Sequence, residues 1–102
     1  MPPDFDLLHA SAEIFSPLTG QVFEAVFTDG RLPLSLAEVR TLGQLRPKSQ
    51  NPAFSLIFHG APNLRLPQQI YRLENSTLGT LDIFLVQVGA DAEASKFEAV
   101  FN

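Results

Sequence analysis

Apolar side chains recur at every second residue along most of this chain, a spacing that admits short strands and leaves no room for long amphipathic helices. From Gln21 to Thr28, Phe23, Ala25 and Phe27 alternate with Val22, Glu24 and Val26. Asp29-Gly30 follows, a dipeptide that tolerates the positive φ angles of a two-residue hairpin turn. The next strand, Arg31 to about Leu42, sets Leu32, Leu34 and Leu36 against Pro33 and Ser35. Such a turn pairs Thr28 with Arg31, and therefore Phe27 with Leu32, Ala25 with Leu34 and Phe23 with Leu36. All six side chains then share one face, which a one-residue slip would destroy. After Leu36 the apolar phase moves to Val39, which predicts a bulge at Ala37 and Glu38. Pro33 has no N–H to donate and is expected to face a sheet edge.

Gly43 to Ala53 reads as a loop, with Pro47, Ser49, Asn51 and Pro52. A third strand, Phe54 to His59, turns Phe54, Leu56 and Phe58 to one side. Gly60 to Pro67 is a second loop, and Gln68 to Glu74 a fourth strand with Tyr71 and Leu73 inward. The turn Asn75 to Gly79 ends on a glycine able to adopt a left-handed conformation. In the fifth strand, Thr80 to Val88, Leu81, Ile83 and Leu85 line one face and Phe84, Val86 and Val88 the other. Gly89 to Ser95 is an acidic loop, and Lys96 to Asn102 a last strand carrying Phe97, Ala99 and Phe101. Ahead of all this, Ser11 is placed to cap a helical turn over Ala12 to Phe15, with Glu13 in its first turn and Pro17 and Gly20 to end it. Residues 1–10 carry no regular pattern.

The fold expected is all-β: a small six-stranded antiparallel barrel or barrel-like sandwich over residues 21–102. Its helical turn at 11–18 either plugs an end or covers the fifth strand's outer face. With 102 residues the chain has enough apolar material for one domain and not for two. The absence of cysteine excludes disulfides, thiolate metal sites and thiol nucleophiles. A net charge of -4 argues against an electrostatic grip on nucleic acid or on an anionic membrane. No apolar run reaches the roughly 18 residues of a membrane span. Met1 to Ala10 lack the features of a secretory signal, so a cytoplasmic protein is expected.

The segments Phe54-Ser55-Leu56-Ile57-Phe58-His59-Gly60, Leu66-Pro67-Gln68 with Tyr71, Leu73-Glu74 with Leu78-Gly79, Phe84-Leu85-Val86 with Val88-Gly89, and Phe97-Glu98-Ala99-Val100-Phe101-Asn102 carry a further signal. Together with Glu13, Phe15, Pro17-Leu18 and Gly20-Gln21 with Phe23, they resemble a family of small bacterial proteins known as a domain of unknown function. The likeness runs from about Ser11 to the C-terminus and rests mostly on core and turn residues. Where the family pattern has a His after Leu73-Glu74 this chain has Asn75, and where it has a Pro after Val86 this chain has Gln87. The resemblance implies no enzymatic activity. An association of such genes with phage-tail-like proteins implies a structural or assembly role.

Candidate chemistry is sparse. Ser55 and His59 share a strand parity and, with Asp82, supply the residue types of a hydrolytic triad, but no strained nucleophile elbow surrounds any serine. The expectation is no catalysis. His9 and His59 have no second ligand at metal-binding spacing, and Asp91 with Glu93 falls short of a calcium cage, so no metal or cofactor is expected. Asn75-Ser76-Thr77 matches a glycosylation acceptor, which in a cytoplasmic protein is coincidence. Arg40, Arg46 and Lys48 bring three of the seven basic residues to one loop, a candidate dock for an acidic protein patch. A barrel filled by Phe23, Phe27, Phe54, Phe58, Tyr71 and Phe97 should pack solid, although a small barrel binding a ligand or peptide is the alternative reading. Phe84, Val86 and Val88 are expected to be covered, because burying them is worth roughly 5 kcal/mol. Either Phe5, Leu7, Leu8, Ile14, Phe15 and Leu18 lie over them, or a protein partner or second subunit does. Ala53 to Phe58 is an uncharged run that would be an aggregation hazard as an exposed edge. The function expected is a non-catalytic structural or protein-interaction module.

Overall fold

A computed structural model, which describes residues 10–45 and 52–101, turns the alternating segments into six antiparallel strands. They are β1 (Val22–Phe27), β2 (Gly30–Leu45), β3 (Pro52–Gly60), β4 (Gln69–Asn75), β5 (Gly79–Ala90) and β6 (Ser95–Phe101), preceded by α1 (Ala12–Phe15) and a 3-10 turn at Ser16–Leu18. The strands follow the order β1-β2-β3-β6-β5-β4 and close into a ring. Two meanders, β1 to β3 and β4 to β6, are thus joined along two long-range seams. The β3–β6 seam runs in unbroken register from Phe54↔Phe101 to Gly60↔Ser95, whereas the β1–β4 seam holds Glu24↔Glu74 and Ala25↔Leu73.

Inward parity carries the core, as the period of two requires. Phe23, Leu34, Leu36, Phe54, Leu56, Phe58, Leu73, Leu81, Leu85, Phe97 and Ala99 are all essentially inaccessible. Phe54 and Phe101 stack at 4.6 Å, and Phe23 meets Phe58 edge-on at 5.3 Å. The ring is therefore filled by side chains, the normal state of a barrel this narrow.

α1 plugs one end. Phe15 is fully buried, its ring 6.4 Å from Phe23, 5.8 Å from Phe54 and 6.0 Å from Phe101. The cap at Ser11 is made by its backbone, whose carbonyl accepts from the Ile14 N–H at 3.1 Å, while its side chain makes no cap bond. Pro17 sits inside the 3-10 turn instead of ending the helix, which it does without loss because an early helical position has no N–H bond to give up. Gly20, at φ 91, then fastens the plug by donating to the Leu36 carbonyl at 2.7 Å. The opposite end is covered by residues 61–68, whose Leu64 and Leu66 pack against the core.

The first hairpin differs from expectation. Its loop is Thr28-Asp29, with Gly30 already in the ladder opposite Phe27, so Ala25 faces Leu32 and Phe23 faces Leu34. The slip is two residues, which keeps every apolar side chain on its face; the alternation that excludes a one-residue slip is blind to this one. Gly30 is not among the residues of positive φ, so the turn makes no use of its freedom. The predicted bulge is present, as a register shift between Leu36 and Glu38 against β3. Pro33 lies beyond the last β2–β3 pair, Ser35↔His59, on the stretch of β2 paired with β1 alone.

Candidate interaction surface

Twelve residues long and rich in β-branched and aromatic side chains, β5 is apolar on both parities. Its inner face is core. On its outer face Phe84 is 51% exposed, lies directly opposite Ile70 of β4 at 66%, and is followed by half-buried Val86 and by Val88 at 54%. Val100 of β6 adds a further half-exposed side chain. This corrects the expectation that Phe84, Val86 and Val88 are covered by the N-terminal segment. Phe15 and Leu18 are spent on the barrel end, Ile14 packs against the same core, and Phe5, Leu7 and Leu8 lie outside the described residues. The two-sided burial occurs instead on β3, where Ala53, Ser55 and Ile57 are buried alongside Phe54, Leu56 and Phe58. That uncharged run is not an edge: β2 and β6 flank it.

Several charges around the apolar face are paired within the molecule, while Glu98, across from Val86, has no ion pair among the described residues. Arg72, directly across from Asp82, donates Nε to Oδ1 at 3.0 Å and Nη2 to Oδ2 at 3.2 Å. Those bonds hold the Asp82 carboxyl below the usual carboxylate range. Arg40 Nη2 meets Glu38 Oε2 at 2.9 Å, and Lys96 Nζ lies 3.7 Å from Asp91 Oδ2. Of the expected basic dock, Arg40 is exposed on β2 in the transverse row Arg40↔Ser55↔Val100, while Arg46 and Lys48 lie outside the described residues.

The other candidates are dispersed. Ser55 and His59 stand four residues apart on β3, roughly 13 Å along an extended strand. Asp82 is on β5, beyond β6, and is committed to Arg72. The Ser55 hydroxyl is buried without a hydrogen-bond partner. Asp91 Oδ1 accepts from the N–H groups of Glu93 and Ala94, making it the organiser of its own turn, and these bonds draw its pKa down. Among the described residues no group of three or more His, Asp or Glu is placed to hold a metal ion. No helix there is long and apolar enough to cross a membrane.

Sequence reasoning missed the residues that close the ring. Asn75 is buried; its Nδ2 donates to the Val22 carbonyl at 3.1 Å and to Gln21 Oε1 at 3.2 Å. Its Oδ1 accepts from Thr77 N at 2.8 Å and Leu78 N at 3.0 Å. One amide thus clips β1 to β4 and caps the turn that ends at Gly79, φ 83. Gln87, at the β5–β6 register shift, grips residues 61–68: Nε2 donates to Leu64 O at 2.7 Å and Oε1 accepts from Leu66 N at 2.9 Å. Tyr71 donates to Pro67 O at 2.5 Å, and burial raises its phenol pKa. The signal was available, since Asn75 and Gln87 are the two places where the chain departs from the pattern it resembles. Asn75→Ala is expected to lower stability by about 2–3 kcal/mol, because buried backbone groups lose their partners. Asn75→Asp, which keeps the turn acceptor and removes the donor, should lose part of that; urea titrations of the three proteins read the order.

Two clefts flank the short β1–β4 seam. One, of about 420 Å³, is lined by Gln21, Val22, Glu24, Glu74 and Ser76, and the other, of about 400 Å³, by Phe27, Asp29, Gly30, Arg31, Leu32 and Leu66.

Compared with known families, residues 10–101 match the model of a domain of unknown function, DUF6916. No curated protein and no solved structure matches the chain.

Proposed function

The chain belongs to the DUF6916 family, and from that premise we propose that it is a non-catalytic interaction module which self-associates through the outer face of β4, β5 and β6. The observation that carries this reading is that four of the six exposed large apolar side chains among the described residues, Ile70, Phe84, Val88 and Val100, fall on the neighbouring strands β4, β5 and β6, with Val22 and Leu42 elsewhere. Scattered apolar residues are ordinary on a surface; a contiguous group on neighbouring strands marks a contact site. A second copy suits the face because two of the charge pairs flanking it, Arg72–Asp82 and Arg40–Glu38, are internally compensated. Glu98, across from Val86, has no ion pair among the described residues, so two molecules of net charge -4 meet here with their Glu98 side chains offset from one another. The apolar group is smaller than the ~800 Å² per partner of a standard interface, so the association is weak and reversible. Such a self-complementary contact closes as a dimer, the form in which the chain would enter an assembly, in line with the resemblance to genes associated with phage-tail-like proteins in bacteria. Sedimentation velocity over a concentration series tests it: mass should rise with concentration, and Phe84→Asp, at an exposed strand position, should hold the protein monomeric. A wild type that stays monomeric at millimolar concentration removes the reading.

A further inference from the structure

The β1–β4 seam offers a second surface, independent of the β5 face. Its register stops at Ala25↔Leu73, although β1 continues to Phe27 and β4 begins at Gln69. Val26 and Phe27 pair onward with β2, and Gln69 to Tyr71 with β5, so the two strands part company at this end of the barrel. The parting is filled by Phe27 set edge-on to Tyr71 at 6.0 Å and leaves the 400 Å³ cleft beside it, with half-buried Phe27, Leu32 and Leu66 as its apolar lining. At the rim Arg31 bridges the seam, 2.5 Å from Glu74 Oε1 and 3.6 Å from Glu24 Oε1. Beyond it the second cleft continues over the two carboxylates to Ser76 and Gln21. Across both clefts Glu24, Glu74 and Asp29 outnumber the one guanidinium of Arg31, and that guanidinium is already engaged.

We infer that this seam binds an extended, basic segment of a partner protein, an apolar side chain entering the Phe27–Leu32–Leu66 cleft and a neighbouring lysine or arginine lying over Glu24 and Glu74. From Gln21 to Phe27 the seam is roughly 20 Å long at about 3.3 Å per residue, room for six or seven extended residues. The apolar cleft supplies the anchor; the net negative charge left by three carboxylates against one guanidinium selects a positive charge at the neighbouring position of the bound segment.

The probe is a capped seven-residue peptide alternating leucine with lysine, titrated into isotope-labelled full-length protein and followed by amide chemical shifts. Shifts are expected at residues 22–31, 64–66 and 69–76, with saturation. Glu24→Lys combined with Glu74→Lys should weaken binding by about tenfold or more, the size of one well-placed charge contact. Asp29→Lys, in an exposed turn, should weaken it in the same direction and stands in if the double variant does not fold. Absence of binding, shifts centred on Phe84 and Val88, or equal binding of a peptide alternating serine with lysine would each overturn the inference.

Discussion

Deleting residues 97–102 should abolish cooperative unfolding. β6 is the strand through which the two meanders meet, paired with β3 from Phe54↔Phe101 to Gly60↔Ser95 and with β5 from Val86↔Glu98 to Ala90↔Ser95. Without it the ring opens between β3 and β5. Phe97 and Phe101 leave the core together, and Phe54 loses the ring stacked on it at 4.6 Å. Removing a buried Phe costs about 3–5 kcal/mol, and two such losses plus a strand of backbone pairing match the roughly 5–15 kcal/mol that holds a typical domain together. The exposed flanks of β3 and β5 would then be open templates for aggregation. Thermal melts followed by near- and far-ultraviolet circular dichroism read the result; a sharp transition surviving the truncation would show the last strand to be dispensable.

Phe15→Ala should lower stability by about 3–5 kcal/mol, the largest effect expected of a single substitution outside the strands. Phe15 is the part of α1 that enters the barrel, ringed by Phe23, Phe54 and Phe101. Those three belong to β1, β3 and β6, strands whose positions are set by backbone pairing, so they cannot collapse into the space an alanine would leave. The void persists and its full penalty with it. Urea titration should show a lower midpoint with an unchanged slope, since the surface exposed on unfolding stays nearly the same. A loss below about 1 kcal/mol would mean that the end of the barrel refills, and would demote α1 from plug to ornament. Phe84, the same residue type but half exposed, stands outside this argument.

Much of the architecture was legible in the residues because alternation reports directly on which side chains share a face. The strands, the bulge after Leu36 and the inward set all derive from it, while the helical turn reads from Ser11, Glu13, Pro17 and Gly20 and its place at the barrel end is one of two alternatives. Alternation fixes register only to parity and cannot tell one even slip from another, and so the partners in the first hairpin were misplaced by two residues. Nor does it say which of two apolar faces is covered. β5 and β3 both carry apolar side chains on two sides. The uncharged outer residues Ala53, Ser55 and Ile57 mark the covered one, whereas Asp82 on the outer side of β5 marks a face left open. The seam residues were hidden for a different reason: Asn75, Gln87 and the Arg31–Glu74 pair act between segments about 20 to 50 residues apart, which only the folded chain brings together.

The two long-range seams are unequal, and this gives the barrel a front and a back. The β3–β6 side is a hinge, laced by continuous backbone pairing and by the Phe54–Phe101 stack. The β1–β4 side is a clasp, two ladder pairs secured by one amide and one guanidinium. Local opening begins where pairing is thinnest. A clamshell built this way can unfasten along β1–β4 while each meander keeps its own hydrogen bonds, placing thinly paired backbone beside the cleft of Phe27, Leu32 and Leu66.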